Sequence, residues 1–377
     1  MPHPGSHFST SVDFSLAPFL VIWETTQACA LACRHCRASA QPSRDPRELT
    51  TVEGMGVIDQ VADLGTPILV FTGGDPVNRP DLFDLIRHAR SRGLKAATIP
   101  AATECLTEEL VRGLKDAGCD QMALSLDFPS AERHDAFRGV PGAFDTTLKA
   151  VTWAHSVGLP LQINTTICGD TAPFFEEMAA FVETLGIVFW EVFFLVPTGR
   201  GALLQGLSAS ECERLFDVIY RVQKKGAFIV KVTEAPHYRR HVAQREMRQG
   251  GASGRPAGPV AMPARLTQSE GPGHTVGLAP RGVNSGKGFL FVSHTGEIFP
   301  SGFLPLPVGN VRGRSLADAY RNDPLFLDLR TPSRLEGRCG RCEFAEICGG
   351  SRSRAYGLTG NAFATDPWCS YEPVGSR

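Results

Sequence analysis

At 377 residues the chain is long for one compact core, and it predicts one large domain with a smaller one attached. Its 38 Lys and Arg nearly cancel its 39 Asp and Glu, so no net field recruits nucleic acid or an anionic membrane. No segment reaches the roughly 20 apolar residues of a membrane span, and no basic stretch followed by an apolar one opens the chain. The expectation is a cytoplasmic protein that acts on a small molecule or a peptide. Eleven cysteines, gathered mainly near the two ends, fit a reducing compartment and metal binding better than disulfides.

Residues 1–17 read as an arm without regular pattern. From Phe19 onward, β-rich runs at 19–26, 68–73, 95–101, 121–127, 161–167 and 189–196 alternate with helical stretches near 51–64, 81–92, 107–117, 145–157, 173–185 and 208–225. Several of these stretches end in the glycine expected after a helix. Six βα units predict a parallel sheet curled into an open or partial barrel, with its chemistry at the C-terminal ends of the strands.

Directly after the first run stands Cys29-Ala-Leu-Ala-Cys33-Arg-His-Cys36. Iron-sulfur clusters are normally held by four cysteine sulfurs, so three close ones leave an iron open to another ligand. A zinc knuckle is the plainer alternative. The second run ends in Thr72-Gly73-Gly74-Asp75-Pro76, where paired glycines let a ligand approach the backbone. The fourth ends in Ser125-Leu-Asp127, and the fifth carries Gln162, Asn164 and Thr166 on one face. Polar groups on the inner side of a barrel need partners. The turn Val196-Pro-Thr-Gly-Arg-Gly201 falls at the barrel mouth.

Further on, Glu234-Ala-Pro-His237-Tyr-Arg239-Arg240-His241 concentrates cations and aromatics, and residues 247–288 are rich in Gly, Pro and Ala, a long loop placed to act as a lid. A hairpin pattern covers 289–301. Cys339, Cys342, Cys348 and Cys369 then supply four thiolates, enough for a closed iron-sulfur cluster or a structural zinc. Cys105, Cys119, Cys168 and Cys212 stand alone and read as small core residues.

The cysteine triplet after a first strand resembles the signature of the radical S-adenosylmethionine (SAM) enzymes, and Gly73-Gly74-Asp75 resembles that family's Gly-Gly-Glu motif with Asp in place of Glu. The resemblance implies a (β/α)6 partial TIM barrel. It also implies a 4Fe-4S cluster on Cys29, Cys33 and Cys36 whose open iron takes SAM, and reductive cleavage of SAM to a 5'-deoxyadenosyl radical. Contacts to SAM are expected from Gly73, Gly74, Asp75, Ser125, Asp127, Arg138 and Asn164, with His35 near the adenine. The reductant expected is of flavodoxin or ferredoxin type.

The tail resembles the SPASM extension of these enzymes, with one auxiliary 4Fe-4S cluster on Cys339, Cys342, Cys348 and Cys369. A second auxiliary cluster is not expected, because Ser301 and Arg352 stand where its cysteines would fall. The implied division is an arm at 1–17, a radical SAM barrel at 18–236, a bridging loop at 237–288 and a small SPASM-like domain at 289–377. Together with Pro-His-Tyr-Arg-Arg and Cys-Gly-Gly-Ser-Arg352-Ser-Arg354, the chain is most similar to the branch of haem d1 and alternative haem biosynthesis enzymes. That branch implies a tetrapyrrole, with Arg239, Arg240, Arg352 and Arg354 against its propionates and His237 toward a central iron, and oxidative decarboxylation or another side-chain modification. Maturation of a ribosomal peptide is the rival reading, and a non-catalytic metal-binding protein the third.

Overall fold

The computed structural model describes residues 12–250, 260–263, 266, 278–279 and 281–373. Seven parallel strands, β1 (Leu20–Glu24), β2 (Ile68–Thr72), β3 (Lys95–Thr98), β4 (Gln121–Ser125), β5 (Leu161–Ile167), β6 (Phe189–Phe194) and β7 (Ile229–Thr233), lie side by side in chain order. The helices between them are α1 (Thr51–Asp63), α2 (Leu82–Ser91), α3 (Glu108–Asp116), α4 (Ala131–Arg138), α5 (Ala143–Ser156), α6 (Phe175–Glu183) and α7 (Ala209–Lys225). A strand order that never reverses winds the sheet in one sense, and its two ends stay apart, which gives a partial barrel.

The alternation along each strand explains the two faces. Val21, Trp23, Leu69, Phe71, Met122, Leu124, Ile163, Trp190 and Val192 join one buried core with Val57, Ile58 and Val61 of α1 and the other helices. The intervening residues, among them Ile22, Val70, Ala97, Ala123, Gln162, Glu191 and Phe193, line a cavity on the inner side. Helix starts follow local rules. Thr50 with Glu53 and Ser208 with Glu211 form capping boxes at α1 and α7.

The remaining elements are α8 (His237–Gln249), β8 (Phe289–Val292), β9 (Ile298–Phe299), α9 (Leu316–Asn322), α10 (Pro324–Leu329), α11 (Gly337–Gly340) and α12 (Arg352–Thr359). Several features differ from the sequence reading: residues 237–249 of the expected bridging loop form α8, α4 is an added helix, and Cys105, read as a core residue, is exposed. A seventh strand, β7, extends the six. The third strand stops at Thr98, because the chain turns inward at Ile99-Pro100 and Pro100 has no N–H to offer a ladder. The hairpin at 289–301 is no separate sheet: β8 pairs in parallel with β1, Leu20 opposite Phe289, and so continues the barrel wall. The lid reading for 247–288 falls largely outside the described residues. Among the described residues, no helix is long and apolar enough to cross a membrane.

Candidate active site

After β1 the chain passes over the strand ends in a loop pinned by its own backbone. Gly74 N–H donates to the Thr26 carbonyl and Asp75 N–H to that of Ala28, each at 2.7 Å, while Cys29 N–H donates to Gln41 at 2.8 Å. Arg200 N–H closes the far side on the Cys36 carbonyl at 3.0 Å, so the 196–201 turn packs on the cysteine loop. The sulfurs of Cys29, Cys33 and Cys36 thereby line one cavity together with Gly73, Gly74, Ser125, Arg138 and Asn164. Burial pushes the Cys29 thiol up to about 12 and raises that of Cys33 despite the nearby Arg138. Thiols so placed become thiolates only with a cation to hold them.

The two glycines are dictated by this packing. A Cβ on Gly73 would lie 2.4 Å from the Thr26 carbonyl oxygen, and one on Gly74 2.5 Å from the oxygens of both Gln27 and Ala28. The next residue does not reach the cavity wall. The Asp75 carboxylate is buried behind the glycines and accepts from Val77 N–H, Ala101 N–H and the Thr103 hydroxyl, each at 3.2 Å. Asp127 is likewise set back: it accepts from Thr166 N–H at 2.8 Å and pairs with Arg138. Burial opposes its charge, yet Arg138 holds its carboxyl below the usual carboxylate range. Both acids expected to touch SAM directly therefore brace the residues that line the cavity. Arg138, fixed by Asp127, points its other nitrogen at Cys33 Sγ, 3.8 Å away.

Asn164 ends a polar row across the strands. Gln121 donates to Gln162 at 2.6 Å, and Gln162 donates to Asn164 Oδ1 at 2.6 Å and to Glu191 at 2.9 Å. Glu191 also takes Thr233 Oγ1 at 2.6 Å and Lys231 Nζ at 2.7 Å. With Oδ1 occupied, Asn164 keeps its Nδ2 hydrogens for the cavity. This row continues into the second, inner cavity of the half-barrel, which shares Ile99, Phe193 and Phe303 with the first.

His35 stacks on Phe137, ring centroids 4.7 Å apart, and burial pushes its pKa down to about 3, so it is neutral. His134 was missed. It is fully buried on the same cavity, Asp127 N–H donates to its Nδ1 at 3.2 Å, and its Nε2 has no partner. Nε2 therefore carries the proton, and burial pushes the pKa down to about 4. Its helix, α4, was not predicted because Ala131–Arg138 lacks an apolar stripe. Arg200, in the turn at the barrel mouth, donates its Nε to the Cys33 carbonyl at 2.9 Å, and Arg37, paired with Glu24, is a further charged lining residue.

Cys339, Cys342, Cys348 and Cys369 line a separate small cavity with Arg240, Gly350 and Tyr371. Burial, aided by the neighbouring sulfurs, pushes Cys342 up to about 11 and Cys348 well above the ordinary thiol value. Among the described residues, no group of three or more His, Cys, Asp or Glu is drawn together tightly enough to hold a single metal ion. Three cysteines at the first site leave one iron of a 4Fe-4S cluster open, and four at the second suffice to close one.

The cations read as propionate ligands are mostly engaged elsewhere. Arg240 pairs with Glu213. Arg352 is buried, donating to the carbonyls of Ala362 and Ala364 at 2.8 Å and lying 3.7 Å from Cys339 Sγ. Arg354 donates to the Glu234 carbonyl, lies 3.6 Å from Asp366 and stacks 4.0 Å over Trp368. His237 is fully buried between Phe216 and Asp366, borders neither barrel cavity, and is kept neutral by burial, its pKa near 4. Arg239 alone of the five lines the inner cavity.

Comparison with known proteins matches residues 23–182 to the radical SAM superfamily. The chain is 39% identical over 366 residues to an AdoMet-dependent heme synthase of Oleidesulfovibrio alaskensis, covering 97% of this chain and 90% of that protein. It is 38% identical to an AdoMet-dependent heme synthase of Methanosarcina barkeri, covering 95% and 97%. Among solved structures, SuiB of Streptococcus suis bound to S-adenosylmethionine superposes with a TM-score of 0.69 at 16% identity, over 94% of this chain and 78% of that one, a likeness of fold.

Proposed function

The chain belongs to the radical SAM superfamily and to the family of the AdoMet-dependent heme synthases, and from that premise we propose that it converts a propionate-bearing iron porphyrin by oxidative decarboxylation of its side chains. The observation that carries the reading is the cavity where three buried cysteines meet the Gly73-Gly74 backbone, Ser125, Arg138 and Asn164 at the strand ends. Cys29, Cys33 and Cys36 would hold a 4Fe-4S cluster, and Cys339, Cys342, Cys348 and Cys369 an auxiliary one. When bound, the first with SAM supplies a 5'-deoxyadenosyl radical for hydrogen abstraction, and the second a one-electron acceptor.

The protein's own part is binding, orientation and exclusion of water. The glycine carbonyls would accept from the SAM amine, Arg138 would pair with its carboxylate, and Ser125, Asn164 and His134 would offer hydrogen bonds to its polar groups. Phe193, Phe303 and Ile99, between the two cavities, give the reacting carbon an apolar setting with few competing hydrogen donors. A flavodoxin- or ferredoxin-type protein is the reductant in this proposal, and the reducing cytoplasm its setting. The test is anaerobic incubation of reconstituted protein with SAM, reductant and an iron porphyrin bearing propionates. Mass spectrometry should show stepwise loss of carboxyl groups; unchanged porphyrin beside consumed SAM would refute the substrate.

A further inference from the structure

The inner cavity of the half-barrel is walled by Ile22, Val70, Ala123, Phe189 and other apolar side chains, so a charged group inside it stands out. Three cations border it. Lys231 is neutralised by Glu191 at 2.7 Å, and Arg281 is exposed and acts on Asp13.

Arg239 differs from both. Its guanidinium donates to two carbonyl oxygens, Ile347 at 3.1 Å and Val283, and among the described residues no carboxylate pairs with it. Two groups act on it from nearby, first Cys348 and then Glu234, and Glu234 spends its carboxylate on the Ser351 and Ser353 hydroxyls. Burial pushes the Arg239 pKa down to about 10. A guanidinium has five N–H groups, and these two carbonyls leave three without a partner among the described residues. The carbonyls fix its plane from the C-terminal part of the chain, one of them next to Cys348.

Resting on the substrate class proposed above, we propose that Arg239 anchors one carboxylate of the substrate inside the half-barrel. The part of the substrate that reacts would then extend past Phe193 and Phe303 toward the SAM cavity. Arg239 is on this account a specificity-determining residue that distinguishes an acidic side arm from its neutral counterpart.

The test is equilibrium binding, followed by absorbance, of an iron porphyrin carrying four propionates and of its tetramethyl ester to protein holding both clusters. Arg239→Met should weaken binding of the acid on the order of 10- to 100-fold, the usual worth of a charge-assisted pair, and leave the ester unchanged. Arg239→Gln keeps an amide donor for the carbonyls and removes the charge. It should retain the wild-type iron content and show the same loss, which decides the matter if the Met variant fails to fold. Wild-type affinity for the acid in a folded Gln variant would overturn the anchor alone, as would equal weakening of acid and ester. Failure of the wild-type protein to bind the acid at all would overturn the substrate class, and the anchor with it.

Discussion

Gly74→Ala is the sharpest probe of how the first cluster loop is placed. The new Cβ would sit 2.5 Å from the carbonyl oxygens of both Gln27 and Ala28 and 2.8 Å from the Ala28 carbonyl carbon, whereas ordinary contact begins at 3.4 Å. Those atoms are backbone, so no flexible side chain can yield, and the segment just ahead of Cys29 must withdraw by about 0.9 Å or β2 must bend. A displacement of about 1 Å at a reacting centre costs on the order of 100-fold in rate. The assay is 5'-deoxyadenosine formation by reconstituted protein, with iron content and SAM affinity measured alongside. Gly56→Ala in α1 is the control, since nothing lies within 4 Å of its Cβ, and it should stabilise the fold by about 0.5–1 kcal/mol while leaving the rate alone. Wild-type rate and SAM affinity in Gly74→Ala would refute the argument that backbone contact at this glycine sets the cluster loop.

Three further outcomes are expected. Arg354→Met strips the buried cation from Asp366 and from the Glu234 carbonyl, and should cost about 3–5 kcal/mol in denaturant unfolding of the reconstituted protein. Cys342→Ala should remove roughly half of the bound iron while the triplet keeps its share, as read by iron and sulfide analysis. His294 lies 2.8 Å from Glu24; burial lowers its pKa, but Glu24, Glu48 and Asp45 more than offset this and raise it above 6.5. Its imidazolium therefore adds stability that is fully present below about pH 6.5 and is lost as pH rises through the raised value. The melting-temperature advantage of wild type over His294→Gln should be largest in acid and shrink in alkali.

The cysteine loop, the paired glycines and six of the strands were legible because each is a local signal: spacing, a strand end, alternation of period two. β7 was not, since Ile229–Thr233 is short and interrupted by Lys231, whose reason for being there is Glu191 on the neighbouring strand. Asp75 and Asp127 illustrate the same limit. Their positions in the chain are those of ligand contacts, but their partners, Thr103, Thr166 and Arg138, turn them into supports. The arginines near the C-terminus showed their charge in sequence and not the carbonyls and acids that consume it. Arg354 answers Glu234, 120 positions earlier. What remained after that pairing was Arg239, which sequence could not separate from its neighbour Arg240.

The most direct test of the whole account is 5'-deoxyadenosine formation from SAM by anaerobically reconstituted wild-type and Cys33→Ala protein, with and without the propionate-bearing iron porphyrin. The account predicts formation by wild type, acceleration by the porphyrin, and none by the variant. A reconstituted wild-type protein with its full iron content that releases no 5'-deoxyadenosine would contradict it.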